Sequence, residues 1–493
     1  MRNNFVLPRL YCGPALRYGV GVMRFTKLFC LSVYIFAASA LCGCATLPNV
    51  SEILEDVPAG EKPPEIVGTK GPLPQSETKA IIKKIKRFSG VSDIVERQTL
   101  ALQAVSGRPL VSGNKVTLLV DGPATYEAML RAIGEARQNI NFETFIFEDD
   151  EIGRRFAEAF LKKQAEGVQV NIIYDGVGSI NTPATFFQRL RDGGINVLEF
   201  NPVKPFLFFV GELHAVQRDH RKILVVDGSI AFAGGVNVSH VYSRGPSGIS
   251  REHEKAEMKK NETEVPWRDT HLRIEGPAAA EFQALFLETW KDKKGPQLDE
   301  KNYFPQLKRH GSDLVQVVGS TPGKQNRITF IMYVAAFLNS QRSIHLNTPY
   351  FVPDRQAVSA LIDAAKRGLD VKIILPEESD SKLAILAGHY YYSNLLKAGV
   401  KIYERRHEMI HAKTCVVDGV WSTIGSTNMD LWSFLHNYEV NAIIISIDFA
   451  SEMEALFASD LGQSKEVTLD EWRKRPLFPR IGEWFAHLFR RYL

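Results

Sequence analysis

At 493 residues, with 45% hydrophobic and 24% charged side chains, the chain is too long for a single small module and too ordinary in composition for a disordered or collagen-like protein. Its 60 Lys plus Arg stand against 56 Asp plus Glu, but Arg2, Arg9, Arg17, Arg24 and Lys27 precede residue 44 with no acid among them, leaving 55 basic and 56 acidic residues beyond it. A body so close to neutral argues against a nonspecific nucleic-acid binder, which needs a basic surface.

The first element reads as a targeting signal. From Met23 the chain reads MRFTK and then LFCLSVYIFAASALCGC, a basic start, an apolar run and a small-residue approach to a cysteine. The run from Leu28 to Gly43 is 16 residues, short of the roughly 20 of a spanning helix. Leu41-Cys42-Gly43-Cys44 resembles the lipobox of bacterial lipoproteins, with Cys42 an unusual occupant of its second position. That resemblance implies lipidation of Cys44, a membrane-anchored protein on the periplasmic side, and, from Ala45, outer-membrane sorting. Residues 1–43 are thus expected to be a signal peptide, in which 1–22 read as an upstream extension from a misassigned start. Cleavage there leaves Cys44 and Cys415, and an acylated Cys44 allows no intramolecular disulfide.

Residues 44–80 are rich in Pro, Gly and charge without a sustained apolar period and read as a tether. Folded structure is expected from a helix over Ile81 to Val105 and a strand over Val116 to Val120. Strand, helix, strand, helix and strand then follow at Ile140 to Phe147, Ile152 to Gln164, Val168 to Tyr174, Phe186 to Arg191 and Asn196 to Phe200. The order repeats as a strand at Ser343 to Val352, a helix at Arg355 to Arg367, a strand at Val371 to Leu375, a helix at Tyr390 to Lys397 and a strand at Val400 to Tyr403. This is α/β organisation in two copies. The expected boundaries are 81–294 for the first and 312–493 for the second, with a linker at 295–311 and an exposed insertion at Ser243 to Pro266.

Each copy places a histidine in the same pattern. His220-Arg-Lys222-Ile-Leu-Val-Val-Asp227 and His411-Ala-Lys413-Thr-Cys-Val-Val-Asp418 are both HxKxxxxD, 191 residues apart. On a strand, His and Lys two apart share one face, and Asp227-Gly228 and Asp418-Gly419 signal turns at its end. Gly234-Gly235-Val236-Asn237 and Gly425-Ser426-Thr427-Asn428 follow, where small residues let backbone approach a ligand closely and Asn237, Ser426 and Asn428 offer phosphate-binding groups.

The paired motif resembles the phospholipase D superfamily, from about Val116 onward. Within it FETFIFEDDEIG, GVQVNIIYDGVGS, WRDTHLRIEGP and LNTPYFVPD are similar to bacterial cardiolipin synthases. The resemblance implies two homologous α/β/α domains with mixed sheets packed around one shared active site. It also implies that His220 forms a phosphohistidine, that His411 acts as general acid and then base, and that Asp269 and Glu439 orient the imidazoles, while Asp227 and Asp418 hold the motif turns. Chemistry supplies the reason for these types: imidazole is a neutral nucleophile near pH 7, a second imidazole protonates the leaving alkoxide, and Lys222 and Lys413, expected to keep their charge, stabilise the phosphoryl oxygens. No metal and no cofactor are implied.

The expected reaction is phosphatidyl transfer between phospholipids, with phosphatidylglycerol as substrate. The alternatives are a phosphodiesterase hydrolysing phospholipid or nucleic acid, and a noncatalytic lipid-binding lipoprotein. Besides Cys44, an apolar stretch at Pro205 to Val210 and an amphipathic helix over Arg480 to Leu493 point to a membrane surface. Neither specific nucleic-acid recognition nor any protein partner is legible.

Overall fold

The computed structural model describes residues 47–57, 63–91, 93–202, 217–243, 266–323 and 327–493. The leader, Cys44, the Pro205 to Val210 stretch and nearly all of the expected insertion lie outside the described residues.

The chain first forms α1 (Val50–Glu55), β1 (Ile66–Gly68), β2 (Gly71–Pro72), α2 (Gln75–Ser89) and α3 (Asp93–Ser106). Part of the stretch read as a tether therefore has regular structure. Val50 and Leu54 of α1 are buried in the second half's core, because Asn49 caps the helix and aims its two apolar side chains inward. The single helix expected over Ile81 to Val105 is two: Gly90, at φ +68°, ends α2 in a left-handed cap.

The first half follows as β3 (Leu110–Val120), α4 (Asp121–Glu135), β4 (Asn139–Thr144), α5 (Glu151–Ala165), β5 (Gln169–Asp175), α6 (Ala184–Asp192), β6 (Asn196–Phe200), β7 (Arg218–Asp219), β8 (Ile223–Val226), β9 (Ile230–Gly234), β10 (Trp267–Arg268), β11 (Thr270–Glu275) and α7 (Ala279–Asp292). After an irregular connection over Gly295 to Gly311 comes the second half. It contains β12 (Asp313–Ser320), α8 (Ile328–Asn339), β13 (Ser343–Asn347), β14 (Phe351–Val352), α9 (Arg355–Lys366), β15 (Asp370–Pro376), α10 (Lys382–Lys397), β16 (Lys401–Arg405), β17 (Met409–Ile410) and β18 (Thr414–Val417). It ends with β19 (Trp421–Gly425), β20 (Met429–Asp430), α11 (Leu431–Leu435), β21 (Asn437–Ile445), α12 (Ile447–Gly462), β22 (Ser464–Val467), α13 (Leu469–Arg473) and α14 (Leu477–Leu488). The strand expected over Ser343 to Val352 is interrupted at Thr348-Pro349-Tyr350, where proline cannot donate to a ladder.

The two halves have one topology. Hydrogen-bonded neighbours run β6-β5-β4-β8-β9-β11-β3 in the first and β16-β15-β13-β18-β19-β21-β12 in the second. In each, three parallel strands joined by helices meet an antiparallel set, the mixed α/β arrangement expected of crossover connections. The halves join edge to edge where β3 pairs antiparallel with β12. Each half has its own apolar core. A third core, with Val225, Ala233 and Leu272 from one half and Val416, Val440 and Ala442 from the other, fills the space between them.

Asp227 and Asp418 sit at the ends of β8 and β18, at φ +51° and +58°. The carboxylate of Asp227 accepts from the backbone N–H groups of Arg137, Gln138 and Asn139. Asp418 accepts from those of Gln341, Arg342 and Ser343. Each aspartate thus ties its turn to the loop that starts the half's first parallel strand. Replacing Asp418 by alanine leaves three N–H groups without their acceptor. Charge-assisted bonds contribute about 1.5–3 kcal/mol each, so D418A is expected to be destabilised by at least about 3 kcal/mol, seen as a lower thermal midpoint; an unchanged midpoint would contradict this role.

Candidate active site

The HxK segments are not part of the ladders on which the spacing placed them. His220-Arg221-Lys222 is an irregular link between β7 and β8, and His411-Ala412-Lys413 the same between β17 and β18. The reason is that β7 and β17 pair with the opposite half, so the chain must turn there from one ladder into another. β7 lies parallel to β21, and the His220 N–H donates to the Tyr438 carbonyl at 2.9 Å. β17 lies parallel to β10, and the His411 N–H donates to the Arg268 carbonyl at 2.7 Å.

This exchange decides which carboxylate each imidazole meets. Nδ1 of His220 lies 3.1 Å from both oxygens of Glu439, a residue of the second half. Nδ1 of His411 lies 2.6 Å from Oδ2 of Asp269, a residue of the first. A carboxylate at Nδ1 holds the tautomer with hydrogen there and leaves Nε2 as a lone pair, the form a nucleophile or general base needs. Both acids are fully buried. Burial raises the Asp269 carboxyl above its ordinary value, with Lys413 opposing. Burial acts on Glu439 in the same direction, but His220 and Ser426 outweigh it and hold the carboxyl below its usual range.

The lysines complete a crowded cationic site. Nζ of Lys222 donates to the His220 carbonyl at 2.7 Å, and Nζ of Lys413 sits 2.9 Å from Nε2 of His411. Burial, with the charge of Lys413 adding, pushes Lys222 down to about 7, while burial brings Lys413 to about 8 against the pull of Asp269 and Glu439. The expectation that these ammonium groups keep their charge is therefore narrowed: burial, and for Lys222 the neighbouring Lys413, brings both below the ordinary lysine range, Lys222 the further. Burial and neighbouring lysines also hold His220 below, and His411 well below, the ordinary imidazole value.

The glycine-rich returns serve the carboxylates. A Cβ on Gly235 would lie 2.1 Å from Oδ1 of Asp269, so the missing side chain makes room for that acid. Ser426, at the matching position, donates its hydroxyl to Glu439 and accepts from the Val440 N–H at 3.0 Å. Asn237 is engaged at both ends, accepting from the Ile146 N–H at 3.1 Å and donating to the Tyr242 hydroxyl at 2.8 Å. Among the phosphate-directed residues, Asn428 keeps a buried Oδ1 without a partner. Asn237 and Ser426 are thus positioned to shape the site through its buried backbone and carboxylate, whose needs are met first.

Three aromatic neighbours were not legible. The Tyr242 hydroxyl lies 3.4 Å from Nδ1 of His411, and the Trp267 ring centroid 4.6 Å from that imidazole. Phe145 meets His220 edge-on at 5.2 Å and lies under the Lys222 ammonium. Trp267 and Phe145 stand inside quoted motifs, WRDTHLRIEGP and FETFIFEDDEIG, but nothing in the spacing marks them as flanking an imidazole.

Two buried imidazoles and two partly discharged lysines form a receptor for a tetrahedral oxyanion. An anion bound there raises the lysine values, so binding takes up protons and weakens as pH rises through about 7 to 8. Calorimetric titration with sulfate, whose own charge is constant in this range, is expected to show affinity falling about tenfold or more from pH 6 to pH 9. Constant affinity across the range would refute the electrostatics.

Comparison with known proteins agrees with this geometry. The family model described as cardiolipin synthase, PLD-like domain, matches residues 129–255 and 333–461. The cardiolipin synthase of Geobacillus sp. (strain WCH70) is 34% identical over 397 residues, 80% of this chain and 75% of that protein. Cardiolipin synthase A of Pseudomonas fluorescens is 32% identical over 390 residues, 79% of this chain and 77% of its own. The crystal structure of phosphatidylserine synthase from Haemophilus influenzae Rd KW20 shares the fold, with a TM-score of 0.55 and 15% identity over 80% of this chain and 98% of that one. A duplicated fold with paired HxKxxxxD motifs, matched over both halves, makes this chain a member of the cardiolipin synthase family of phospholipase D-like proteins.

Proposed function

We propose that the protein is a phosphatidyltransferase that joins two phosphatidylglycerol molecules into cardiolipin. The observation that carries the reading is the crossed arrangement in which His220–Glu439 and His411–Asp269 flank two buried lysines. Nε2 of His220 attacks phosphorus of the donor lipid, the N–P bond forms as the P–O bond to glycerol breaks, and His411, protonated once the lipid phosphate offsets the lysine charges that hold it down, supplies the proton to the departing alkoxide. His411 then takes the proton of the acceptor's glycerol hydroxyl as its oxygen displaces the imidazole. Lys222 and Lys413 balance the charge on the phosphoryl oxygens at both stages. Asp269 and Glu439 hold the rings, and Asn428 is assigned a phosphate-binding role. Asp227 and Asp418 act at one remove, by fixing the turns.

The same reading makes Cys44 the acylated residue of a lipoprotein facing the periplasm, at the outer membrane if the source is Gram-negative. Several acyl chains hold a protein at a bilayer where one does not. Metabolic labelling with an alkyne fatty acid tests this, with label expected in the natural chain and absent in Cys44→Ser; equal label in both contradicts it.

Purified protein in phosphatidylglycerol micelles is expected to yield cardiolipin and glycerol in equal amounts. Phosphatidic acid as the sole lipid product would make it a hydrolase. H220A and H411A are each expected to lose about a thousandfold or more in turnover. H411A should accumulate a phosphatidyl adduct, located by mass spectrometry on the His220 peptide; an adduct on His411 in H220A would reverse the two roles.

A further inference from the structure

The terminal helix α14 is built inside out. Among its buried residues are Glu483 and Ala486, while Leu477, Phe478, Ile481, Trp484, Phe485 and Leu488 are 50–87% exposed. Those six recur at the helical period and form one stripe. A helix of a soluble domain turns such a stripe inward; this one is fastened by its polar side. Glu483 pairs with Arg475 at 2.6 Å, Arg475 stacks on Trp472, and the His487 ring lies 3.7 Å from that of Tyr390 on α10. The stripe is therefore held rigidly outward. Tyr390 and Leu383 of α10, 40% and 41% exposed, extend the apolar surface.

Charge identifies the occupant. From Arg473 to the last residue the chain carries Arg473, Lys474, Arg475, Arg480, Arg490 and Arg491 against Glu483, which Arg475 pairs, with Asp470 and Glu471 just ahead on α13, in a body that is neutral overall. A second copy would bring like charge against like, whereas an anionic bilayer offers both a hydrocarbon interior and negative headgroups. The turn at Arg490–Tyr492, just beyond the helix, packs on α11, the helix that follows Asn428 and β20.

We propose that α14 is an interfacial docking helix that seats the second half on an anionic lipid surface, with Phe478, Ile481, Trp484 and Phe485 entering the acyl region and the arginines on the headgroups. The docking is independent of any acyl group at Cys44, and it rests on the reading that the substrate is a phospholipid. It makes turnover of bilayer lipid depend on the stripe, while turnover of a monomeric lipid does not.

Trp484 provides a direct probe, because among the tryptophans it alone is a strongly exposed one. The full-length protein mixed with vesicles of brominated phosphatidylglycerol is expected to lose part of its tryptophan emission, and Trp484→Phe to abolish that quenching while still floating with the vesicles. The double variant Phe478→Ser, Phe485→Ser changes only exposed positions. Its turnover of phosphatidylglycerol vesicles is expected to fall at least tenfold, with turnover of monomeric dihexanoylphosphatidylglycerol within twofold of the natural chain. Quenching equal in Trp484→Phe, or undiminished vesicle turnover in the double variant, overturns the proposal. So does a dimer that the double variant dissociates while the natural chain shows no quenching, which would make the stripe a contact between copies. A natural chain that is quenched as expected but turns over neither lipid supports docking and overturns the functional reading instead.

Discussion

Each imidazole of the paired motif takes its orienting carboxylate from the other half of the molecule. Glu439 of the second half meets His220 of the first, and Asp269 of the first meets His411 of the second. Neither half contains an oriented histidine by itself, so the site exists only while the halves are docked. The docking is correspondingly over-determined. β3 joins β12 along the sheet edge, β7 and β10 each borrow a strand partner from the second half, and Arg268 reaches Asp460 at 3.0 Å. Arg221, next to His220, donates to the Glu439 carbonyl at 3.1 Å and to the Ser320 carbonyl at 2.9 Å. Buried charges are costly unless paired and hydrogen-bonded, and here the pairing itself runs across the junction.

The crossing also brings two imidazoles and two lysines into one buried centre with only two acids against the rings. Two imidazoles and two ammonium groups share a space from which water is excluded, and the acids that accompany them are committed to Nδ1 atoms and to hydroxyl or backbone donors. Burial answers by lowering Lys222 and Lys413 toward neutrality. A site that relaxes only when an anion arrives binds that anion through charge regained as well as through contacts. The net charge of the chain has no part in this. What attracts a phosphate is local and buried, and the basic residues that accompany α14 belong to a separate surface of the second half.

Much of this was legible because it is local. The HxKxxxxD spacing, the repeated order of strands and helices, and the Asp-Gly turns are properties of short windows, and the strand Asn196–Phe200 stands where its apolar pattern puts it. Asp269 and Glu439 were picked out as orienting acids, but which ring each would meet depends on long-range strand exchange and leaves no trace in spacing. The same exchange pulled the His-x-Lys segments off the ladders. Glycines were misjudged for a related reason: the space at Gly235 is taken by Asp269, a neighbour brought by the fold and invisible in sequence. At α14 the pattern of apolar residues indicated a helix, whereas the fact that its stripe faces outward depends on Glu483 and His487 finding partners elsewhere.

A duplicated scaffold tends to make two equal sites, yet the proposed division into attack and proton donation needs two unequal imidazoles. The inequality arises at one matched position. Where the first half has Gly235, the absent side chain admits the short, buried Asp269 against His411, in a pocket that Tyr242 and Trp267 close with aromatic surface. Where the second half has Ser426, a hydroxyl binds the longer Glu439 and helps keep it ionised beside His220. One carboxyl is pushed up by burial and the other is held down by its donors, so the two rings respond differently when an anion enters between them. Pairs of titratable groups whose surroundings move them apart are what acid–base chemistry near neutral pH requires. In this molecule the Gly235-to-Ser426 difference goes together with the Asp269-to-Glu439 difference, one carboxylate occupying space a side chain would fill and the other accepting from a hydroxyl.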